Sequence, residues 1–166
     1  MRSYLRTRAH DDDLVIPWDL TEWIDQASLR QWITEEVEIL DWGNPEVTAI
    51  LRTYRTYQPK MMLCLLTYAY ATAVFESDEI IRRCYSEESF RLISGREAPE
   101  TANTVRGFRR ENRGLLKWCL GQVLKRAIRA KVGDVLLPAG LKRQLLDSAV
   151  LRLNVARHLD RGTEGL

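Results

Sequence analysis

Residues Lys60–Phe75 read KMMLCLLTYAYATAVF. This run is apolar on nearly every face, through Met61, Met62, Leu63, Leu65, Leu66, Ala69, Ala71, Ala73 and Val74. A helix that is apolar all round belongs at the centre of a core. Pro59 stands where the first turn would begin, a position whose N–H has no partner within the helix. The uncharged run Met61–Phe75 also contains Thr and Tyr, so it is too short and too polar to span a bilayer.

The flanking sequence supplies helices to pack around it. Leu29, Trp32, Ile33, Val37 and Leu40 recur at i, i+3, i+4, which predicts a helix from Asp25 or Ser28 to Leu40. The run Trp42-Gly43-Asn44-Pro45 ends it. A shorter helix is expected over 46–54. Ser77 reads as the N-cap of a helix over 78–84, and Ser86 as the N-cap of another over 87–94. Residues 95–99 (GREAP) form a turn. Thr101 or Asn103 caps a long helix running to about Lys131, which Val132 and Gly133 terminate. A last helix is expected over 139–159, with RGTEGL as a frayed tail. A short strand at 134–137 is the one β candidate. The fold class is all-α, a single compact helical domain with a helix-turn-helix-like unit and an added C-terminal helix.

Composition narrows the function. The chain has 166 residues, 45% of them hydrophobic and 29% charged, an ordinary globular mixture for one domain. The N-terminus, MRSYLRTRAHDDD, lacks the apolar stretch of a secretory signal. It reads as a flexible arm over 1–13, whose Asp11–Asp13 tract is solvated rather than metal-binding. Cys64, Cys84 and Cys119 are odd in number and widely spaced, against a disulfide framework or a zinc site. They suit core packing and a cytoplasmic setting. Two histidines, His10 and His158, cannot build a histidine-centred active site. No phosphate-binding glycine loop is present. The sequence therefore gives no reason to expect a cofactor, a metal or a small-molecule substrate.

Charge is segregated along the chain. Residues 1–100 carry 11 Lys/Arg against 18 Asp/Glu, and residues 101–166 carry 14 against 5. Either the second half faces a polyanion or the halves face each other. The 101–131 helix concentrates the signal, with nine Lys/Arg and one acid, Glu111. On a helical projection Arg106, Arg109, Arg110, Arg113 and Lys117 fall within about 60° of one line. Val105, Phe108, Leu115, Leu116, Cys119 and Val123 gather elsewhere. Thr101, Asn103 and Thr104 at the helix start are short hydrogen-bonding groups able to meet phosphates or base edges. The short helices and turn before it suggest a helix that enters the major groove, where arginine forks suit phosphate and guanine.

The stretch Tyr57–Gly95, YQPKMMLCLLTYAYATAVFESDEIIRRCYSEESFRLISG, followed by Pro99 and TVRGFRREN (Thr104–Asn112), resembles the N-terminal domain of bacterial insertion-sequence transposases (InsH-like). The likeness extends over residues 14–133. It implies a helical domain that binds the terminal DNA of a mobile element. Pro59 and Lys60 would start the core helix and Ser77 the short helix. Thr104, Arg106, Phe108, Arg109 and Arg110 would lie on the recognition helix. The chain departs from the family at Ala73, where Gly is usual, and at Asn112, where His is usual. The turn between Pro99 and Thr104 is one residue longer. After Gly133 the sequence DVLLPAGLKRQLLD places Pro138 and Ala139 where the family has its first metal-binding Asp. Asp134, Asp147, Asp160 and Glu164 are scattered and do not form the convergent carboxylates that two-metal cleavage needs.

The expectation is thus a non-enzymatic protein that binds double-stranded DNA in a bacterial cytoplasm, associated with the nucleoid. Its DNA-binding residues would be Lys60, Ser77, Thr101, Asn103, Thr104, Arg106, Arg109, Arg110, Arg113 and Lys117. The alternative is a protein-interaction module whose basic helix docks on an acidic partner. Residues 134–166 would close the core, or pair with a second copy through 139–159.

Overall fold

The computed structural model describes residues 15–41, 47, 58–133 and 139–164, without the side chains of 146 and 162–164. Every regular element among them is helical: α1 (Gln26–Glu38), α2 (Pro59–Ala71), α3 (Ser77–Ser86), α4 (Glu88–Ser94), α5 (Ala102–Glu111), α6 (Arg113–Val132) and α7 (Ala139–Glu164). The arm expected at 1–13 and the strand expected at 134–137 lie outside the described residues. So does the helix expected at 46–54, apart from Val47, which is buried. No helix among the described residues is long and apolar enough to cross a membrane.

Helix α2 is the centre of the core. Met62, Leu63, Leu65, Leu66 and all of 67–71 are buried, and α1, α4, α6 and α7 pack around it. Pro59 occupies its first turn, as expected. It stops at Ala71, short of the expected Phe75, because the Thr72 hydroxyl donates to the carbonyls of Tyr68 (2.8 Å) and Ala69 (3.2 Å). Ala73 then turns left-handed, at φ +63°, and the Val74 N–H closes back on the Ala69 carbonyl at 2.8 Å. This is a Schellman-type stop, whose left-handed position is usually glycine.

Helix α1 begins where Asp25 caps it, accepting from the Ser28 N–H (2.9 Å) and hydroxyl (2.8 Å). It buries Leu29, Ile33 and Val37, and Leu40 lies just beyond its end. Two other caps differ from expectation. Ser77 is the first residue of α3 rather than its cap, and is fully buried. Ser86 ends α3, its hydroxyl returning to the Arg82 carbonyl, and Glu87 precedes α4. Thr101 does cap α5, accepting from the Thr104 N–H at 3.3 Å.

The long helix expected over 101–131 is two helices. Asn112 sits between them at φ −120°, ψ 29°, buried, with its amide donating to the Phe108 carbonyl at 3.0 Å. The Asn112 backbone N–H donates to the same carbonyl at 2.9 Å, so the Phe108 carbonyl holds both groups where the helix axis changes. Helix α6 then buries Leu116, Cys119, Leu120, Val123, Leu124, Ala127 and Ile128 on one stripe. Gly133, at φ +88°, ends it.

Helix α7 runs past the expected Leu159 to Glu164. It packs on α6 and α2 and buries Leu141, Ala149, Leu153 and Ala156, so its apolar stripe serves the core of its own chain. Arg152 locks it there at 1% exposure. Its guanidinium donates to the carbonyls of Trp18 (2.5 Å), Tyr70 (2.5 Å) and Pro17 (2.7 Å), and lies over the Trp18 ring at 5.4 Å. One side chain thereby joins α7, the end of α2 and the segment that carries the buried Ile16 and Leu20. Burial lowers the Arg152 pKa to about 10, with Asp19 opposing.

Candidate nucleic-acid interface

Helix α5 is held against α3 by Val105 and Phe108, both fully buried. The residues turned away from that contact are Asn103 and Arg110, which are exposed, and Arg106 and Gly107, which are half-buried. They fall at i, i+3, i+4 and i+7, one edge of a helix. Arg106 donates to the Asn103 side-chain oxygen at 2.5 Å, so these two side chains orient each other. The Thr101 and Thr104 hydroxyls face one another at 3.0 Å and are engaged in the helix cap.

Arg109 does not belong to that edge. It is buried, and its guanidinium pairs with the Asp160 carboxylate of α7, itself buried. The other contacts of Asp160 go to Ser77, whose N–H (3.0 Å) and hydroxyl (2.7 Å) both donate to it. A carboxylate at a helix start is favoured by the free N–H groups and the dipole there. Tyr70, fully buried, faces the same pair, and burial pushes its pKa up to about 12. Burial by itself lowers the Arg109 pKa, but Tyr70 and Asp160 together outweigh it and hold the guanidinium above its ordinary value. Two expected DNA-binding residues, Arg109 and Ser77, are therefore internal. The helical projection placed Arg109 within the cationic stripe, but its pairing with Asp160 of α7 holds it inward.

Lys60 is also displaced from the expected cluster. It sits at the start of α2 and pairs with Glu38 of α1 at 3.3 Å, beside a different recess that includes Arg30, Thr34 and Leu92. The opposition of acidic and basic halves is partly internal as well. Arg126 of α6 pairs with Glu35 (2.7 Å) and Glu36 (2.8 Å) of α1.

Arginines from three helices meet at one place. A recess of about 190 Å³ is lined by Arg106, Arg109 and Arg110 of α5, Arg113 of α6, and Arg157, Asp160 and Arg161 of α7. Arg113 is positioned by Asn154, whose side-chain oxygen accepts from it at 2.6 Å. Lys117 is exposed one turn further along α6. Sequence reasoning missed Arg157 and Arg161. Their spacing of four places them on one helix face, but the tail was read as frayed.

Burial pushes Cys64 and Cys119 up to about 12 and raises Cys84 as well, so these thiols stay protonated near neutrality. Among the described residues no group of three His, Cys, Asp or Glu is placed to hold a metal ion. No family model, no curated protein and no solved structure matches this chain.

Proposed function

We propose that this chain is a non-catalytic DNA-binding protein of the kind its resemblance to insertion-sequence transposase N-terminal domains implies. It grips duplex DNA through the outer edge of α5 and the adjoining cationic surface of α6 and α7. The observation that carries this reading is convergence. Arg106, Arg110, Arg113, Arg157 and Arg161 come from three helices to one recess. Asp160, the one carboxylate among its lining residues, is engaged by Arg109 and Ser77.

The chemistry suits a polyanion. Guanidinium groups donate in forks that match phosphate and the guanine edge. Asn103 and Arg110 on the exposed edge of α5 are positioned to read base edges. Arg113, Lys117 and the α7 arginines suit the sugar–phosphate backbone, whose contacts fix register rather than sequence.

Electrophoretic retardation of a random-sequence duplex tests the reading. Binding should weaken steeply with salt, by a log–log slope of about 0.9 for each phosphate neutralised. Arg106→Ala with Arg110→Ala should lower affinity without unfolding the protein, since both side chains lie outside the core. Absence of retardation at low salt overturns the proposal. A stable complex with an acidic protein, in the absence of DNA affinity, would instead favour the docking alternative.

A further inference from the structure

We infer that the recess between α5, α6 and α7 is a binding site for a single phosphate group, with Arg157 and Arg161 as its outer ligands. This deepens the DNA reading and rests on it for the source of the phosphate. The recess is lined by donors. A guanidinium carries five N–H groups and no acceptor, so the arginines around this space cannot satisfy one another. The carboxylate among the lining residues is Asp160, and its oxygens already receive Ser77 and Arg109. The guest that complements this lining brings acceptors and negative charge.

The floor and walls are preorganised. Arg109 is held by a buried carboxylate, Arg113 by Asn154 and Arg106 by Asn103. Ordering these side chains costs little more on binding. Arg110, Arg157 and Arg161 are exposed at the mouth and free to close on the guest. At about 190 Å³ the space is far larger than a single water needs. That admits a phosphate with its ester oxygens and some of its hydration. A phosphate also offers tetrahedral oxygens to donors arriving from three helices, whereas a carboxylate offers two in a plane.

The test compares inorganic phosphate with chloride at matched ionic strength, using the full chain and thermal unfolding as readout. Phosphate should raise Tm where chloride does not. Arg157→Gln with Arg161→Gln should abolish that rise and weaken retardation of duplex DNA by about tenfold or more. Lys142→Gln, an exposed cation elsewhere on α7, should leave the phosphate effect intact. Equal Tm in the two salts overturns the site, and so does an undiminished phosphate effect in the double variant. Retardation of DNA without a phosphate effect removes the site and leaves the DNA reading standing. A phosphate effect without retardation keeps the site, assigns it to a small phosphate ester, and removes the DNA reading. Tighter binding of a 5′-phosphorylated duplex than of its 5′-hydroxyl form would identify a strand end as the source, and equal binding would identify the backbone.

Discussion

Arg109 and Asp160, 51 residues apart in the chain, form a buried ion pair that joins α5 to the end of α7. Desolvating two charges is expensive, and removing one partner leaves the other buried and uncompensated. Asp160→Asn should therefore destabilise the protein by about 3–5 kcal/mol in urea unfolding. Replacing both partners with apolar residues of similar size, Arg109→Met with Asp160→Leu, removes the uncompensated charge but leaves the Ser77 N–H and hydroxyl without their acceptor, so only part of the loss should be recovered. If Asp160→Asn unfolds like the parent, the pair is not the clasp described here.

Arg152 has a different electrostatic character, because it donates to three carbonyls and the Ser148 hydroxyl rather than to a carboxylate. Arg152→Met keeps the apolar bulk but leaves the Pro17, Trp18 and Tyr70 carbonyls without their donor. A buried unsatisfied acceptor costs about 1–3 kcal/mol, so a loss of several kcal/mol is expected. Amide hydrogen exchange should show it locally, as faster exchange in residues 15–24 and in the last turn of α2. Uniform exchange changes would contradict the role of Arg152 as a clip.

Ala73 pays a conformational penalty at φ +63°. An L-residue with a Cβ is less stable there by about 1–2 kcal/mol, partly offset because glycine gains more freedom in the unfolded chain. Ala73→Gly should stabilise the protein by about 0.5–1 kcal/mol, read as a higher urea midpoint with an unchanged m-value.

Acid sensitivity should be visible at the α1 cap. The Ser28 N–H, and then its hydroxyl, hold the Asp25 carboxyl below its ordinary value of 3.8. A carboxyl with a lowered folded pKa favours the folded state above its ordinary value, and that contribution fades as pH falls through the folded value. The stability difference between wild type and Asp25→Ala should be largest above about pH 4 and narrow below it. A difference independent of pH would show that the ionised cap is not what matters.

On the surface proposed to face DNA, Arg110 and Lys117 should behave differently. Arg110→Ala should cost about 1–3 kcal/mol on a preferred sequence and relax specificity. Lys117→Ala should weaken all sequences alike and reduce the salt slope by about 1. Equal behaviour of the two in a selection from random duplexes would remove the distinction between base reading and backbone contact on α5 and α6.

The sequence made the helices legible to different degrees. Leu29, Ile33 and Val37 announce α1 by period, and Pro59 with the apolar run after it announces α2, because burial of one stripe or of all faces leaves a direct pattern. Thr101 and Gly133 mark real helix ends, since caps act through neighbouring backbone groups. The break at Asn112 was not legible, because the apolar pattern from Val105 to Val123 passes through it without interruption. Ser77 and Ser86 looked like caps by local rule. A carboxylate 83 residues away claimed Ser77, and the Arg82 carbonyl took the Ser86 hydroxyl.

The amino-acid order by itself determined an all-helical chain with its hydrophobic centre at α2 and its cations concentrated after residue 100. Periodicity carries that much, because it records which side of each helix leaves water. Only the tertiary structure decided which cations remain outside. Arg109 went inward to Asp160 and Arg126 was taken by Glu35 and Glu36, while Arg157 and Arg161 joined the α5 arginines around one recess. Charge pairing depends on which helices dock side by side, and no local rule encodes a partner supplied by a distant part of the chain.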